Sequence, residues 1–271
     1  MSIHWSVQVV RLDQPDAAPW IQQSPDLVLK TASVGKLLVL GDVARRIDAG
    51  ELAADHRVSR VGARFVRDSG LWHTLDQEEL TVVDACRLVG AVSDNLATNV
   101  LIDLVGLDAV AAYGDAIAAK PMEMLDYVSG EARDRSVPGT PPTLSRASAA
   151  SLVHYLRRLY DGTVSPRVEE WMSLSTDLSM VASAFGEDPL AHNTIGGTGH
   201  PTLINKTGTD DGIRADVGLV RDGDRAVGYA AIANWPTDDS APGVASVMAR
   251  MRRIGAEIRD RLAQEPDQSV Q

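Results

Sequence analysis

A serine and a lysine three residues apart, in the run Ser33-Val34-Gly35-Lys36, could together carry out acyl transfer. On a helix this spacing puts both side chains on one face. A serine hydroxyl is a weak nucleophile until a base removes its proton, and a partly desolvated lysine with a lowered pKa can be that base. Two further runs supply groups that such a pair would need. Ser93-Asp94-Asn95 offers a second hydroxyl and an amide, and Lys206-Thr207-Gly208 offers a positive charge, a hydroxyl and room for a substrate to approach the backbone. Each run alone is ordinary: a helix start, a polar turn with a helix cap, and a strand end. Together they carry more weight, because the chain has only four lysines, Lys30, Lys36, Lys120 and Lys206, and two of them fall inside these runs.

The surrounding pattern predicts where these groups sit. Leu37, Leu40, Val43, Ala44 and Ile47 recur at helical spacing, and Gly50 stands where a helix would stop, so Ser33 is expected at a helix N-terminus. Thr81-Val82-Val83-Asp84 has the form of a capping box and opens a second helix, ending near Gly90. Further helices are predicted from Leu96 to Val105 and from Ser148 to Tyr160. Toward the chain start, Trp5 to Val9 alternates as a strand, and the turn-rich stretch Asp13 to Pro25 predicts a hairpin with Leu27-Val28-Leu29. Toward the end, Thr202-Leu203-Ile204 is a strand that the Lys206 run follows. Val217 to Val220 and Ala226 to Ile232 form a hairpin through Asp222-Gly223. Val244, Val247, Met248, Met251, Ile254, Ile258 and Leu262 draw an apolar stripe, so the last helix should lie across a sheet. Trp72 is read as a core residue or as an aromatic wall of the cleft.

Composition narrows the classes of function. With 271 residues and 44% hydrophobic content the chain can bury one large core or two packed subdomains. No apolar run approaches the roughly 20 residues that cross a bilayer, so no membrane association is expected. A net charge of -11, with no Lys/Arg cluster among aromatics, argues against nucleic acid as a partner. Met1 leads directly into a strand pattern, which predicts a cytoplasmic location if the sequence is full length and export if a leader was trimmed. Cys86 is the only cysteine, which fits a reducing compartment. His4, His56, His73, His154, His192 and His200 are scattered, so neither a metal nor any other cofactor is expected. The sequence has no Gly-x-Ser-x-Gly, His-Glu-x-x-His, Cys-x-x-Cys or phosphate-loop motif. A Ser-His-Asp triad stays open, since its members can lie far apart in the chain.

The three runs, in this order, resemble the serine β-lactamase and penicillin-binding protein superfamily. Asp94, followed by Ala97, Thr98 and Asn99, makes class A β-lactamases the most similar branch, and the likeness extends from about Val7 to Met251. The resemblance implies an α/β (α+β) fold in which an antiparallel sheet flanked by helices stands beside an all-helical subdomain. Residues 1–32 and 190–271 would form the sheet subdomain and 33–189 the helical one, with the active site between them. It also implies roles. Ser33 would attack a carbonyl and Lys36 would be its base. Ser93 would relay a proton to the departing nitrogen. Asn95 would bond the substrate side chain or Lys36, and Lys206 would keep the field near Ser93 positive. Thr207 would bind a substrate carboxylate, beside Gly208, with Arg214 as a further carboxylate ligand or else a surface arginine. The N–H groups of Ser33 and Thr209 would form the oxyanion hole. Asp94 is expected to be a buried acceptor instead of a catalytic acid.

Two departures from class A affect the reaction. The Glu-x-x-Leu-Asn stretch that supplies the deacylating base does not occur. Between Met122 and Pro142 the candidates are Glu123, Asp126 and Glu131, with Glu131 preferred and surface-loop acids as the alternative. The disulfide found in many members is also missing, because Leu40 stands opposite Cys86. Three readings follow: a β-lactam hydrolase, an esterase, amidase or peptidase on the same scaffold, and a penicillin-binding homologue that deacylates slowly. The expected partner is a small molecule, a β-lactam, ester or amide with a carboxylate, and the oligomeric state is left open.

Overall fold

The computed structural model describes residues 2–131, 133, 136–191, 201–237 and 243–264. Side-chain alternation gives β1 (His4–Arg11), with Trp5, Val7 and Val9 on one face and Ser6 and Val10 on the other. Its hairpin partner is β2 (Ile21–Gln23), with Val9 opposite Ile21. The expected partner, Leu27 to Leu29, is not in that sheet. Leu27 and Val28 are 40% and 41% exposed, and β3 (Leu29–Lys30) pairs elsewhere. The chain is diverted at Ser24, which has a left-handed φ of 40°. It is then pinned by the Pro25 carbonyl, which accepts from the Ser6 hydroxyl and the Ala150 N–H.

A short 3₁₀ turn, Ala32–Gly35, carries Ser33 into α1 (Lys36–Asp48). Every residue of α1 from Lys36 to Ala44 is buried, so this helix runs through the interior and not along a surface. Gly50, with φ 71°, follows its end as expected. A ribbon of β4 (Arg57–Ser59) and β5 (Glu79–Thr81) precedes α2 (Val82–Val92). Thr81 caps α2 by accepting from the Asp84 N–H at 3.1 Å. The Asp84 carboxylate accepts the Thr81 hydroxyl at 2.7 Å, instead of the backbone N–H that a full capping box would use.

Next come α3 (Asn95–Val105), α4 (Leu107–Ala116), β6 (Glu123–Met124) and β7 (Ser145–Ala147). Strands β3, β7 and β6 form a small sheet in that order. Ser148 and Ser151 cap α5 (Ala149–Tyr160) reciprocally, and Ser165 caps α6 (Pro166–Met172). The chain closes with β8 (Thr202–Asp210), β9 (Ile213–Asp222), β10 (Arg225–Asn234) and α7 (Val244–Gln264). Lys206, Thr207 and Gly208 therefore lie inside β8 and do not follow a strand. Among the described residues no single helix is long and apolar enough to cross a membrane.

The main sheet is antiparallel, in the order β2-β1-β10-β9-β8. Pairing of β1 with β10, from His4 opposite Asn234 to Arg11 opposite Val227, joins the two ends of the chain. One face, with Val7, Val9, Leu203, Val220, Val227 and Tyr229, is covered by Val247, Met251, Ile254, Ile258 and Leu262 of α7 and by the Val181–Phe185 turn. A Cβ on Gly255 would lie 2.1 Å from the Val181 carbonyl oxygen, so glycine is what lets α7 touch that turn. The other face, with Ile204, Val217, Leu219, Ala230 and Ile232, shares a single core with α1 and the remaining helices.

One buried carboxylate ties the helical part together. Asp94 is fully buried; it caps α3 through the Ala97 N–H at 2.8 Å and accepts the N–H groups of Leu71 and Trp72 at 2.7 and 2.8 Å. It thus acts as the structural acceptor that the sequence predicts. Trp72 is itself fully buried in the core and does not line the cleft. Removing the carboxylate strands the buried N–H groups of Trp72 and Ala97 away from water and frees that of the exposed Leu71, the buried pair costing about 1–3 kcal/mol each with incomplete additivity. Asp94→Ala is expected to lower unfolding stability by about 3 kcal/mol in urea titration followed by circular dichroism. A change below about 1 kcal/mol would mean that the loop is held by other contacts.

Candidate active site

The expected chemistry requires a lysine deprived of water, and the structure provides one. Lys36 is fully buried at the start of α1. Its Nζ donates to the Ser93 carbonyl at 2.6 Å and to Asn95 Oδ1 at 2.5 Å, and lies 3.3 Å from Ser93 Oγ. Burial, reinforced by the nearby Lys206 charge, pushes its pKa well below the ordinary lysine value, while Asp94 and Asp68 pull weakly the other way. A neutral amine has two N–H donors and one lone pair. In the neutral form the Ser93 carbonyl and Asn95 would take the two donors and Ser93 Oγ would face the lone pair.

Ser33, three residues before Lys36 in the chain, lines a cleft of about 300 Å³ together with Ser93, Asn95, Lys206, Thr207 and Thr209. Six of the expected site residues thus converge on one cleft, with Lys36 beneath its floor. The second lysine completes a relay. Lys206 Nζ donates to Ser93 Oγ at 2.8 Å and to the Thr207 carbonyl at 3.0 Å. Burial lowers its pKa to about 8, against the raising effect of Asp177 and Asp216, so it stays mostly protonated at pH 7. The Ser93 hydroxyl therefore stands between a proton-rich lysine and a proton-poor one, the arrangement needed to pass a proton along.

The local backbone is shaped to bring these groups together. Ala32, before the nucleophile, and Ser93 both have left-handed φ values, 48° and 54°, which cost about 1 kcal/mol each for residues other than glycine. Ser93 adopts this conformation because α2 must end and α3 begin within two residues. The Ala32 turn is held by Ser145 of β7, whose hydroxyl donates to the Ala32 carbonyl at 2.5 Å and lies 2.7 Å from Thr31 Oγ1. A Cβ on Gly35 would come within 2.3 Å of Ser145 Cβ, and one on Gly208 within 2.0 Å of the Thr31 carbonyl oxygen. Two glycines thus allow β7 and β8 to close against the nucleophile turn, and this closure explains Gly208, which gives clearance to backbone and does not line the cleft.

Two expected residues lie elsewhere. Arg214 does not line the cleft; its guanidinium donates to the carbonyls of Asp210 and Ile213 at 3.0 and 2.7 Å and lies 5.9 Å from the Trp235 ring. These acceptors belong to its own β8–β9 hairpin. Glu131 is exposed and lines a separate concavity with Arg64 to Arg67 and Asp126 to Gly130. The loop is set there by buried Asn99, whose amide donates to the Arg64 and Val128 carbonyls at 3.0 and 2.9 Å and accepts the Val128 N–H at 2.9 Å. Glu123 is paired with Arg146, and Asp126 with Arg133.

The sequence reading missed Asp68, Asp177 and Ser145. The first two line the cleft as carboxylates, and neither belongs to a run with recognisable spacing. Among the described residues no cluster of three His, Cys, Asp or Glu could hold a metal ion. His192 and His200 lie outside the described residues.

Comparison with known proteins relates this geometry to a family. The family model of the β-lactamase enzyme family matches residues 3–262. A search of curated proteins finds no match. The fold is shared with a β-lactamase from Sphaerobacter thermophilus at 21% identity and TM-score 0.78, covering 98% of this chain and 94% of that one. It is also shared with a mutant of PBP-A solved as an acyl-enzyme complex with penicillin G, at 16% identity and TM-score 0.75, covering 97% and 91%. The chromosome-encoded β-lactamase of Vibrio parahaemolyticus is similar at 18% identity and TM-score 0.74, covering 97% and 95%. A sheet that joins both chain ends and a lysine-backed serine at the start of a buried helix thus accompany a family match over nearly the whole length, and the chain belongs to the β-lactamase enzyme family.

Proposed function

We propose that the protein is a serine acyl-enzyme hydrolase that opens a β-lactam ring or a related amide or ester through Ser33. The observation that carries this reading is the fully buried Lys36, three residues after Ser33 and bonded to the Ser93 carbonyl and Asn95, whose pKa burial pushes well below the ordinary lysine value. Lys36 accepts the Ser33 proton as Oγ bonds to the carbonyl carbon. The developing oxyanion lies against the N–H groups of Ser33 and Thr209, where donors fixed in advance need no reorganisation. The C–N or C–O bond breaks, and Ser93 passes the proton from Lys36 to the departing atom, favoured by the Lys206 charge. Water then attacks the acyl-Ser33 ester. Lys36, neutral again once its proton has left, is the base available to that water.

The position of Glu131 favours a second feature, slow release of the acyl group. Glu131, Asp126 and Glu123 all lie off the cleft, and the carboxylates that line it among the described residues are Asp68 and Asp177. Asp177 is bonded to Thr207 and Ser179, and neither it nor Asp68 comes from the 122–142 stretch where the resemblance places the deacylating base. The mutant PBP-A bearing penicillin G offers a precedent for a stable adduct on this fold.

Mixing the protein with penicillin G and following the intact mass is expected to show an adduct that Ser33→Ala abolishes and that decays slowly. The absence of any Ser33-dependent adduct with penicillins, or with simple esters, would sink the acyl-enzyme reading. Glu131→Gln should leave the adduct lifetime within about twofold of wild type, as expected for a surface change away from the chemistry; a tenfold or greater increase would restore Glu131 as the base. The pH profile tests Lys206. Its depressed pKa means that the charge beside Ser93 is present below about pH 8 and lost above it, so acylation should fall as pH rises through about 8. Lys206→Arg, whose guanidinium keeps its proton beyond pH 12, should move that alkaline limb upward by at least about one unit.

A further inference from the structure

The acyl-enzyme reading leaves open what the substrate may carry at the β8 end of the cleft, and Asp177 bears on this. The half-buried Asp177 lines the cleft beside Lys206 and Thr207. One carboxylate oxygen accepts the Thr207 hydroxyl at 2.6 Å, and the other accepts the Ser179 N–H and hydroxyl at 3.1 and 2.6 Å. Its backbone is fixed as well, since the Asp177 carbonyl accepts from Asn205 Nδ2 at 3.0 Å. Burial pushes the carboxyl up, but the Ser179 and Thr207 hydrogen bonds and the Lys206 charge outweigh it and hold the group below the usual carboxylate range. It is therefore an anion at neutral pH.

This pairing reverses the polarity of Thr207. A hydroxyl has one proton to give. With that O–H donated to Asp177, Thr207 turns only lone pairs toward the cleft, and a substrate carboxylate would meet acceptors and a second carboxylate. Lys206 compensates only in part, because its charge is balanced by Asp177 and two of its three N–H donors are taken by Ser93 and the Thr207 carbonyl. Asp68 adds another acid to the same cleft. Arg214, the other cation that could have faced a carboxylate, is folded back on the β8–β9 turn. Like charges brought together out of water are strongly disfavoured, whereas a donor or cation in that position would be welcomed.

We infer that Asp177 is a specificity-determining residue which makes this cleft select acyl donors that are neutral or cationic beside Thr207, such as esters, amides or ammonium compounds, over donors with a free carboxylate there. The inference rests on Ser33 being the acylated residue and names the substrate class for that site. A carboxylate that did bind would have to displace the Asp177–Thr207 hydrogen bond first.

The test compares acylation of Ser33 by penicillin G and by its methyl ester, using intact-mass kinetics. Wild type is expected to react at least tenfold faster with the ester, measured as second-order rate constants. Raising the salt should narrow the gap by screening the carboxylate pair. Asp177→Asn removes the charge and keeps one side-chain oxygen as an acceptor, an amide replacing the other, and should shift the acid-to-ester ratio at least tenfold toward the acid. The salt series on wild type gives the same answer should that variant fold poorly. Equal or faster reaction of the free acid in wild type, or an unchanged ratio in Asp177→Asn, would overturn the inference while leaving the acyl-enzyme reading in place. Absence of an adduct with either form would overturn both.

Discussion

Everything at this site depends on keeping Lys36 dry. An exposed lysine is protonated at neutral pH and cannot take a proton from serine, so the base exists only because the first turn of α1 is buried from every side. That burial requires α1 to pass through the middle of the molecule, with the inner sheet face on one side and the other helices on the other. Burying an amine without partners would be costly. The Ser93 carbonyl and Asn95 remove that cost, and because they come from the α2–α3 junction they also fix where the proton goes next.

The second constraint is closeness. Ser33, Ser93 and Lys206 belong to segments far apart in the chain, and two glycines allow the close approach of β7 and β8 to the nucleophile turn. Gly208 lets β8 lie against the Thr31 carbonyl, and Gly35 lets β7 bring Ser145 under the strained Ala32 turn. The left-handed residues beside these contacts, Ala32 and Ser93, carry strain that the packing around them holds in place. Asp94 stabilises the junction from beneath by gathering three N–H groups around one carboxylate.

Electrostatics separates two tasks within a few ångströms. The lysines give one corner its difference in proton affinity, Lys36 low and Lys206 near 8, with Ser93 between them. Asp177 balances Lys206 and accepts the Thr207 hydroxyl's hydrogen bond, so the positive charge that serves proton transfer is not freely offered to an anionic ligand. The same three motifs can therefore be kept while the selectivity of the cleft changes, because its sign is set by residues outside them.

Much of this architecture was legible in the sequence. Hydrophobic periodicity located the long helices and the β9–β10 hairpin, since those patterns follow from local geometry alone. The three polar runs identified Ser33, Lys36, Ser93, Asn95, Lys206 and Thr207 as one constellation, and the family resemblance added Thr209 and marked Asp94 as a buried acceptor. What failed was decided over long distances. The strand paired with β1 is Ile21 to Gln23 and not Leu27 to Leu29, because a left-handed Ser24 redirects the chain. Glu131 lies off the cleft because Asn99 fixes its loop, and Arg214 because carbonyls of its own hairpin capture it. Asp177 and Ser145 have no local signature, and their roles exist only once β8 and β7 are folded against the nucleophile turn. The sequence by itself determined which groups could do the chemistry and which segments would be helix or strand, since both are properties of residue type and spacing. Only the tertiary structure decided which groups lost their water and which carboxylate faced which hydroxyl, because desolvation and charge pairing depend on neighbours that the chain brings together only on folding.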